Sequence, residues 1–300
     1  RSKSLSTQHW SRSGCSPAMI LVLSPAKSMD TTVKASDVCL GSEPKPLAQT
    51  KELLKTLKDH SAQDLKKLMA LSPPLALQEF ERYQQWDKAK SKAACLLMDG
   101  PAFRALDGAS LSKQEKQQAQ SMIRVVSALY GVVRPFDAIK PHRLEMGLRL
   151  KNSKGTNLYD LWGDSIGQQV GKGCKVLVNV ASQEYWKAFP ASSLPAGIRV
   201  VNVDFPGPSA FAKRARGLIC RYAVQARCRT PEDLKGFQGT SEEPYEFDSK
   251  SSTADKLVFR RNGKSERLAP SKPAVGSAAS KRKAKPAAAV AEPLSKRQRK

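Results

Sequence analysis

Three stretches of this 300-residue chain gather reactive side chains. The first is Ser24-Pro25-Ala26-Lys27, directly after the apolar run MILVL at 19–23. Ligands of α/β sheets commonly sit beyond strand carboxyl ends, where a lysine can hold a phosphate as a point charge. Lys27 reads equally as an exposed loop lysine. The second is Tyr130-Gly131-Val132-Val133-Arg134-Pro135, followed by His142-Arg143-Leu144-Glu145-Met146-Gly147. A helix ending in a glycine turn offers backbone N–H groups to a phosphate, and Arg134 and Arg143 add bidentate donors. Arg143 and Glu145 read equally as a bracing pair, and a lone histidine such as His142 is a poor claim to catalysis. The third is Asn179 to Tyr185, closing the run KVLVNVA. Asn179, Ser182 and Tyr185 line a pocket there, or Ser182 caps a helix carrying Trp186 and Phe189.

A fourth stretch, 210–228, is a basic amphipathic helix. Placed at 100° per residue, Phe211, Ala215, Leu218, Ile219, Tyr222 and Ala226 share one side. Lys213, Arg216 and Arg227 fall on one flank, and Arg214 and Arg221 on the other. If these stretches converge they form a cationic cleft, with Lys27, Arg134, Arg143, Lys213, Arg214, Arg216 and Arg221 on nucleic-acid phosphates. Chemistry inside it would draw on Lys27, Glu145 or Glu184 as proton donor or acceptor.

The charge balance supports such a partner. Lys and Arg number 51 against 27 acids, a formal net charge of +24. Residues 261–300 hold 12 bases and 2 acids, while 19–260 still carry 36 against 25. A polyanion, DNA above all, is the natural partner. KRKAK at 281–285 and KRQRK at 296–300 resemble a bipartite nuclear-import signal. Lys281, Arg282, Lys283, Lys296, Arg297, Arg299 and Lys300 would meet an import receptor, or grip phosphates without reading sequence. Six scattered cysteines without a C-x-x-C pair, and three histidines, support no metal site, and no cofactor is expected. No apolar stretch approaches the 18 residues of a membrane span. Walker, G-x-G-x-x-G and H-E-x-x-H strings are absent.

Elements must position these residues. The expected order is a strand at 19–23, then helices from Leu47, from a Ser61/Asp64 capping box, and around Leu77 to Trp86. A helix over 112–129, opened by a Ser112/Glu115 box, would end at Tyr130–Gly131. A strand at 145–150, a helix at 158–170 and strands at 175–181 and 198–205 follow. After the basic helix, a helix starts near Pro231, and short strands lie near 245–247 and 257–259. This predicts one mixed α/β domain over 19–261. The Pro-, Ala- and Lys-rich segment 262–300 cannot offset chain entropy and is expected to be disordered. Residues 1–18, rich in Ser and Arg without acids, read as a loose leader or part of a transit peptide. Nucleus or cytoplasm is the expected address, or plastid or mitochondrion if that leader is a transit peptide.

Several blocks are uncommon and occur in a recognisable order. They are MILVLSPAKSMD (19–30), SALYGVVRPFDAIKPHRLEMGLRL (127–150), NLYDLWGDSI (157–166), VLVNVASQEYW (176–186), AKRARGLI (212–219), LKGF (234–237) and LVFRR (257–261). Through them the chain resembles the YaaA family, the peroxide stress proteins also termed UPF0246 or DUF328. The resemblance implies a response to hydrogen peroxide and limitation of free iron. It implies DNA binding through a positively charged cleft, and a helix–hairpin–helix-like element in an uncommon α/β fold. The hairpin would fall on helix 112–129 and the turn at 130–135, although only Gly131 is present there. Carried over, the site residues are Lys27, Arg134, Arg143, Glu145, Asn179, Ser182, Glu184, Tyr185, Lys213, Arg214 and Arg216. Members often read S-D-E-Y where this chain has Ser182-Gln183-Glu184-Tyr185, so an acid is lost. The expectation is largely sequence-nonspecific binding of double-stranded or structured DNA that limits oxidative damage. The alternative is an enzyme acting on a nucleotide or nucleic-acid base near Lys27 and 179–185.

Overall fold

The computed structural model describes residues 19–32, 41, 43–44 and 47–262. The expected leader, import signal and basic tail lie outside the described residues. Nine strands form within them: β1 (Met19–Leu23), β2 (Lys92–Ala93), β3 (Ile123–Ser127), β4 (Gly131–Val133), β5 (Ala138–Ile139), β6 (Val176–Asn179), β7 (Arg199–Asp204), β8 (Tyr245–Phe247) and β9 (Lys256–Arg261). Seven make one sheet in the order β4-β3-β1-β6-β7-β9-β8, and β2 pairs with β5. The five strands β3, β1, β6, β7 and β9 are parallel, with antiparallel β4 and β8 at the edges. In chain order the parallel set reads 2-1-3-4-5, an order common to doubly wound sheets. Every residue of β1 and β3 is buried, as expected for interior parallel strands with both faces covered.

Ten helices accompany the sheet: α1 (Ala48–Asp59), α2 (Ala62–Met69), α3 (Pro73–Gln84), α4 (Ala94–Leu97), α5 (Pro101–Leu106), α6 (Lys113–Met122), α7 (Leu158–Trp162), α8 (Ser165–Gly171), α9 (Gln183–Trp186) and α10 (Ser209–Gln225). Both capping boxes form, Ser61 with Asp64 and Ser112 with Glu115. The long basic helix is α10, which packs on α5 and α6. Near Pro231 the structure has a short 3₁₀ helix, Glu232–Gly236.

Three expectations are corrected. The helix expected over 112–129 stops at Met122, and the following residues form β3. Ile123 and Val126 fit a helical stripe, but they and Val125 are β-branched, and pairing of Leu21 with Ile123 and Leu23 with Val125 wins. Tyr130–Gly131 therefore turns one strand into another, so no helical hairpin occupies 112–135. Gly131 takes φ +77 there, and a Cβ would lie 2.8 Å from the Trp162 ring. Residues 145–150 form no strand; a Leu148 N–H to Glu145 carbonyl bond makes them a turn. The helix expected over 158–170 is split into α7 and α8 by Gly163 at φ +47.

Candidate functional site: a cationic pocket at the carboxyl edge of the sheet

β1 and β6 are neighbours whose chains leave in opposite directions, β1 toward β3 and β6 toward β7. That is the switch point where doubly wound sheets open a crevice beyond the strand ends. Two serines mark it. The Ser182 N–H donates to Ser24 Oγ at 2.8 Å, and the two hydroxyls lie 3.3 Å apart. Ser182 occupies the N-cap position of α9, but its side chain makes no capping bond. The helix-cap reading thus describes its backbone only.

Around these serines lies a concavity of ≈ 280 Å³. Its wall includes Lys27 from the β1 loop, Glu184 and Tyr185 from α9, Gly100–Phe103 at the start of α5, and Lys213 and Arg216 from α10. Four distant chain segments meet here because glycines permit close approach. A Cβ on Gly217 would sit 1.9 Å from the Ala102 carbonyl oxygen, so α10 rests directly on α5. A Cβ on Gly100 would come within 2.9 Å of Ala26 Cβ, so the β1 loop presses on the same segment. The contribution of 99–103 is absent from the sequence reading; only the Gly100-Pro101 helix-start signal marks it.

The charges are unequal. Lys27 Nζ pairs with Glu145 Oε2, whose other oxygen takes Arg143 Nη2 at 3.3 Å. Lys27 stays 58% exposed while Glu145 is only 16% exposed, so the lysine is tethered at its rim by a half-buried carboxylate. Asp99 is held by Arg104 through two bonds of 2.6 and 2.9 Å, which push its carboxyl below the usual range. Glu184 accepts the Gly147 N–H at 3.0 Å through Oε1. Among the described residues, neither Lys213 nor Arg216 pairs with a carboxylate, and Arg216 Nε is buried without a partner. Burial lowers the Arg216 pKa, against a partial pull from Asp204. Burial, with Glu184 and Glu145 nearby, raises the Tyr185 pKa and keeps the phenol protonated. The pocket therefore presents excess positive charge and the hydroxyl-bearing Ser24, Ser28, Ser182 and Tyr185.

Other candidate residues are placed elsewhere. Asn179 does not line the pocket; it donates to Asn202 at 2.9 Å and accepts the Ala181 N–H at 3.0 Å. Arg143 lies behind Lys27, lining a ≈ 10 Å³ cavity with His142 and Glu145. Arg214 pairs with Glu243 at 2.8 Å. Arg221 donates to the Leu106 and Asp107 carbonyls and to Ser110, closing the end of α5. Arg134 follows β4 beside Arg124, toward the amino end of β3. His142 is 3% exposed, and burial holds its pKa down to about 4, so it is a neutral packing residue against Tyr130. Gly163-Asp164-Ser165-Ile166-Gly167 spells a G-x-S-x-G string that is no nucleophile elbow. Ser165 follows a helix rather than a strand and donates to the Trp162 carbonyl at 2.6 Å. Among the described residues no cluster of three or more His, Cys, Asp or Glu could hold a metal, and no helix is long and apolar enough to cross a membrane.

Fold and site together define a mixed α/β protein with a cationic switch-point pocket. The family model for "Peroxide stress protein YaaA" matches residues 19–251, and the chain belongs to that family. A UPF0246 protein of Bordetella avium is 40% identical over 260 residues, covering 81% of this chain and 99% of the relative. A UPF0246 protein of Marinomonas sp. is 39% identical over 256 residues, covering 81% and 97%. The family's name implies a role in the peroxide stress response.

Proposed function

We propose that the protein serves the peroxide stress response by binding DNA, largely without regard to sequence, and so limits oxidative damage to it. One observation carries the reading: Lys27, Lys213 and Arg216, from segments nearly 190 residues apart, converge on one concavity where two of them lack acidic partners. Charges brought together against their own repulsion suit a polyanion. Contacts to phosphates fix position without specifying sequence. The test is duplex binding by fluorescence anisotropy across several salt concentrations. Lys213→Glu with Arg216→Glu should weaken binding on every sequence tried and flatten the log–log salt slope by about 2. Unchanged affinity and slope would sink the reading.

The concave shape of the pocket favours a second reading, an enzyme acting on a nucleotide or base. Lys27 held by Glu145, and Glu184 held by Gly147, are positioned groups for proton transfer. Loss of turnover in Lys27→Ala with duplex affinity retained would distinguish it from simple binding.

A further inference from the structure

The pocket divides its charges by element. Lys213 and Arg216 stand three residues apart on α10 and therefore share a face of the helix. Both line the concavity, and neither is neutralised among the described residues. From α9, Glu184 spends Oε1 on the Gly147 N–H, while Oε2 accepts no hydrogen bond among the described residues. Ser24 and Ser182 also line it, as do Ser28, Lys27 tethered to Glu145, and Asp99 held by Arg104. The site thus joins two cations without an ion pair among the described residues, several hydroxyls and one spare carboxylate oxygen. Its ≈ 280 Å³ lies just below the span of about 300–1,000 Å³ usual for small-ligand sites. A duplex can meet only the exposed rim, where Lys213 stands, whereas a single nucleotide unit is of the right scale to enter.

The kind of phosphate follows from the charge count. An internal phosphodiester carries one negative charge, while a phosphomonoester carries roughly −1.5 to −2 near neutrality. Two unpaired cations match the monoester. A carboxylate beside them would repel a second phosphate but accept from a hydroxyl or amino group, both of which a nucleotide offers. We infer that this pocket captures a phosphomonoester nucleotide, its phosphate at Lys213 and Arg216 and a sugar hydroxyl or base amino group at Glu184. A DNA strand end and a free mononucleotide share that chemistry. The inference rests on the reading of this site as nucleic-acid binding and adds that strand ends, not only duplex backbone, are recognised.

The test uses the full chain and one oligonucleotide sequence in three forms: 5′-phosphorylated, 3′-phosphorylated, and hydroxyl at both ends. Closed circular duplex and deoxyadenosine monophosphate are measured alongside. At least one phosphorylated form should bind about tenfold tighter than the hydroxyl form. That ratio should fall to about twofold or less in Lys213→Ala, an exposed position that leaves the fold intact, and in Arg216→Gln. Glu184→Gln should weaken binding of the mononucleotide. Equal binding of all three oligonucleotides together with no mononucleotide binding overturns the inference, even if circular duplex binds well. If the mononucleotide binds but strand ends show no preference, the pocket is confirmed with a free nucleotide as its source. Preference for phosphorylated ends with no affinity for circular duplex would sustain the pocket and discard the broader DNA-binding reading.

Discussion

Glu145 accepts Lys27 and Arg143 at once, and this half-buried carboxylate turns a loop lysine into a positioned one. Removing its charge leaves the largely buried Arg143, 19% exposed, without its carboxylate and releases Lys27 from its tether. Glu145→Gln should therefore lower stability by about 1–3 kcal/mol, read from the urea midpoint. His142 makes a different prediction. Burial, with a smaller push from Arg82, lowers its pKa from 6.5 to about 4. Between those values the unfolded chain takes up a proton that the folded protein refuses. Stability linked to His142 is thus complete above about pH 6.5 and is lost as the pH falls toward 4, by up to about 3 kcal/mol. Comparing urea midpoints of the wild type and His142→Gln from pH 7 to 4.5 should show a shallower decline in the variant. An identical pH dependence would show that the imidazole contributes nothing.

At the scale of elements, α10 decides whether the pocket exists. Its buried side includes Ala215, Gly217, Leu218, Ile219, Cys220, Ala223 and Val224, and its exposed rim carries Lys213. Gly217 costs helix propensity of about 1 kcal/mol relative to alanine. Against that gain, an alanine Cβ would meet the Ala102 carbonyl at 1.9 Å, a backbone atom that cannot step aside cheaply. Overpacking of about 1–3 kcal/mol wins, so Gly217→Ala should lower the melting temperature and loosen α10 from α5. Duplex affinity should fall with it, although no charge changes. Arg221 belongs to the same joint. It satisfies carbonyls at the end of α5, so Arg221→Ala should cost stability more than binding.

At the scale of the molecule, the parallel sheet gives the protein two unlike ends. Lys27, Ser182 and the pocket lie beyond the carboxyl ends of β1 and β6. Arg134 lies outside β3, on the β4 edge and toward the amino end of the parallel strands. Separations beyond a Debye length of about 8–10 Å are largely screened at physiological salt. Arg134→Glu should accordingly leave duplex affinity within about twofold, while the same reversal at Lys213 lowers it severalfold. Equal losses at both positions, measured by anisotropy at 0.15 M salt, would mean that binding spreads over the whole cationic surface.

Local chemistry was legible where one segment decides its own structure. The runs at 19–23 and 176–179, the two capping boxes and the basic helix follow from short-range pattern, because burial periodicity and hydrogen-bonding side chains act within a few residues. The candidate residues Lys27, Ser182, Glu184, Tyr185, Lys213 and Arg216 were likewise visible as reactive types in the chain itself. Their assembly was not. Ile123–Ser127 reads as the end of a helix until β1 supplies its pairing partner. Arg134, Arg214 and Arg221 look like equals of Lys213 in sequence, yet Glu243 and the end of α5 engage Arg214 and Arg221, and sheet geometry sets Arg134 apart. Sequence by itself determined which groups were on offer, since side-chain chemistry is local. Only the tertiary structure decided which of them share a pocket, because the pairing of β1 with β3 and β6 and the close approach of Gly217 to Ala102 join residues more than 100 positions apart.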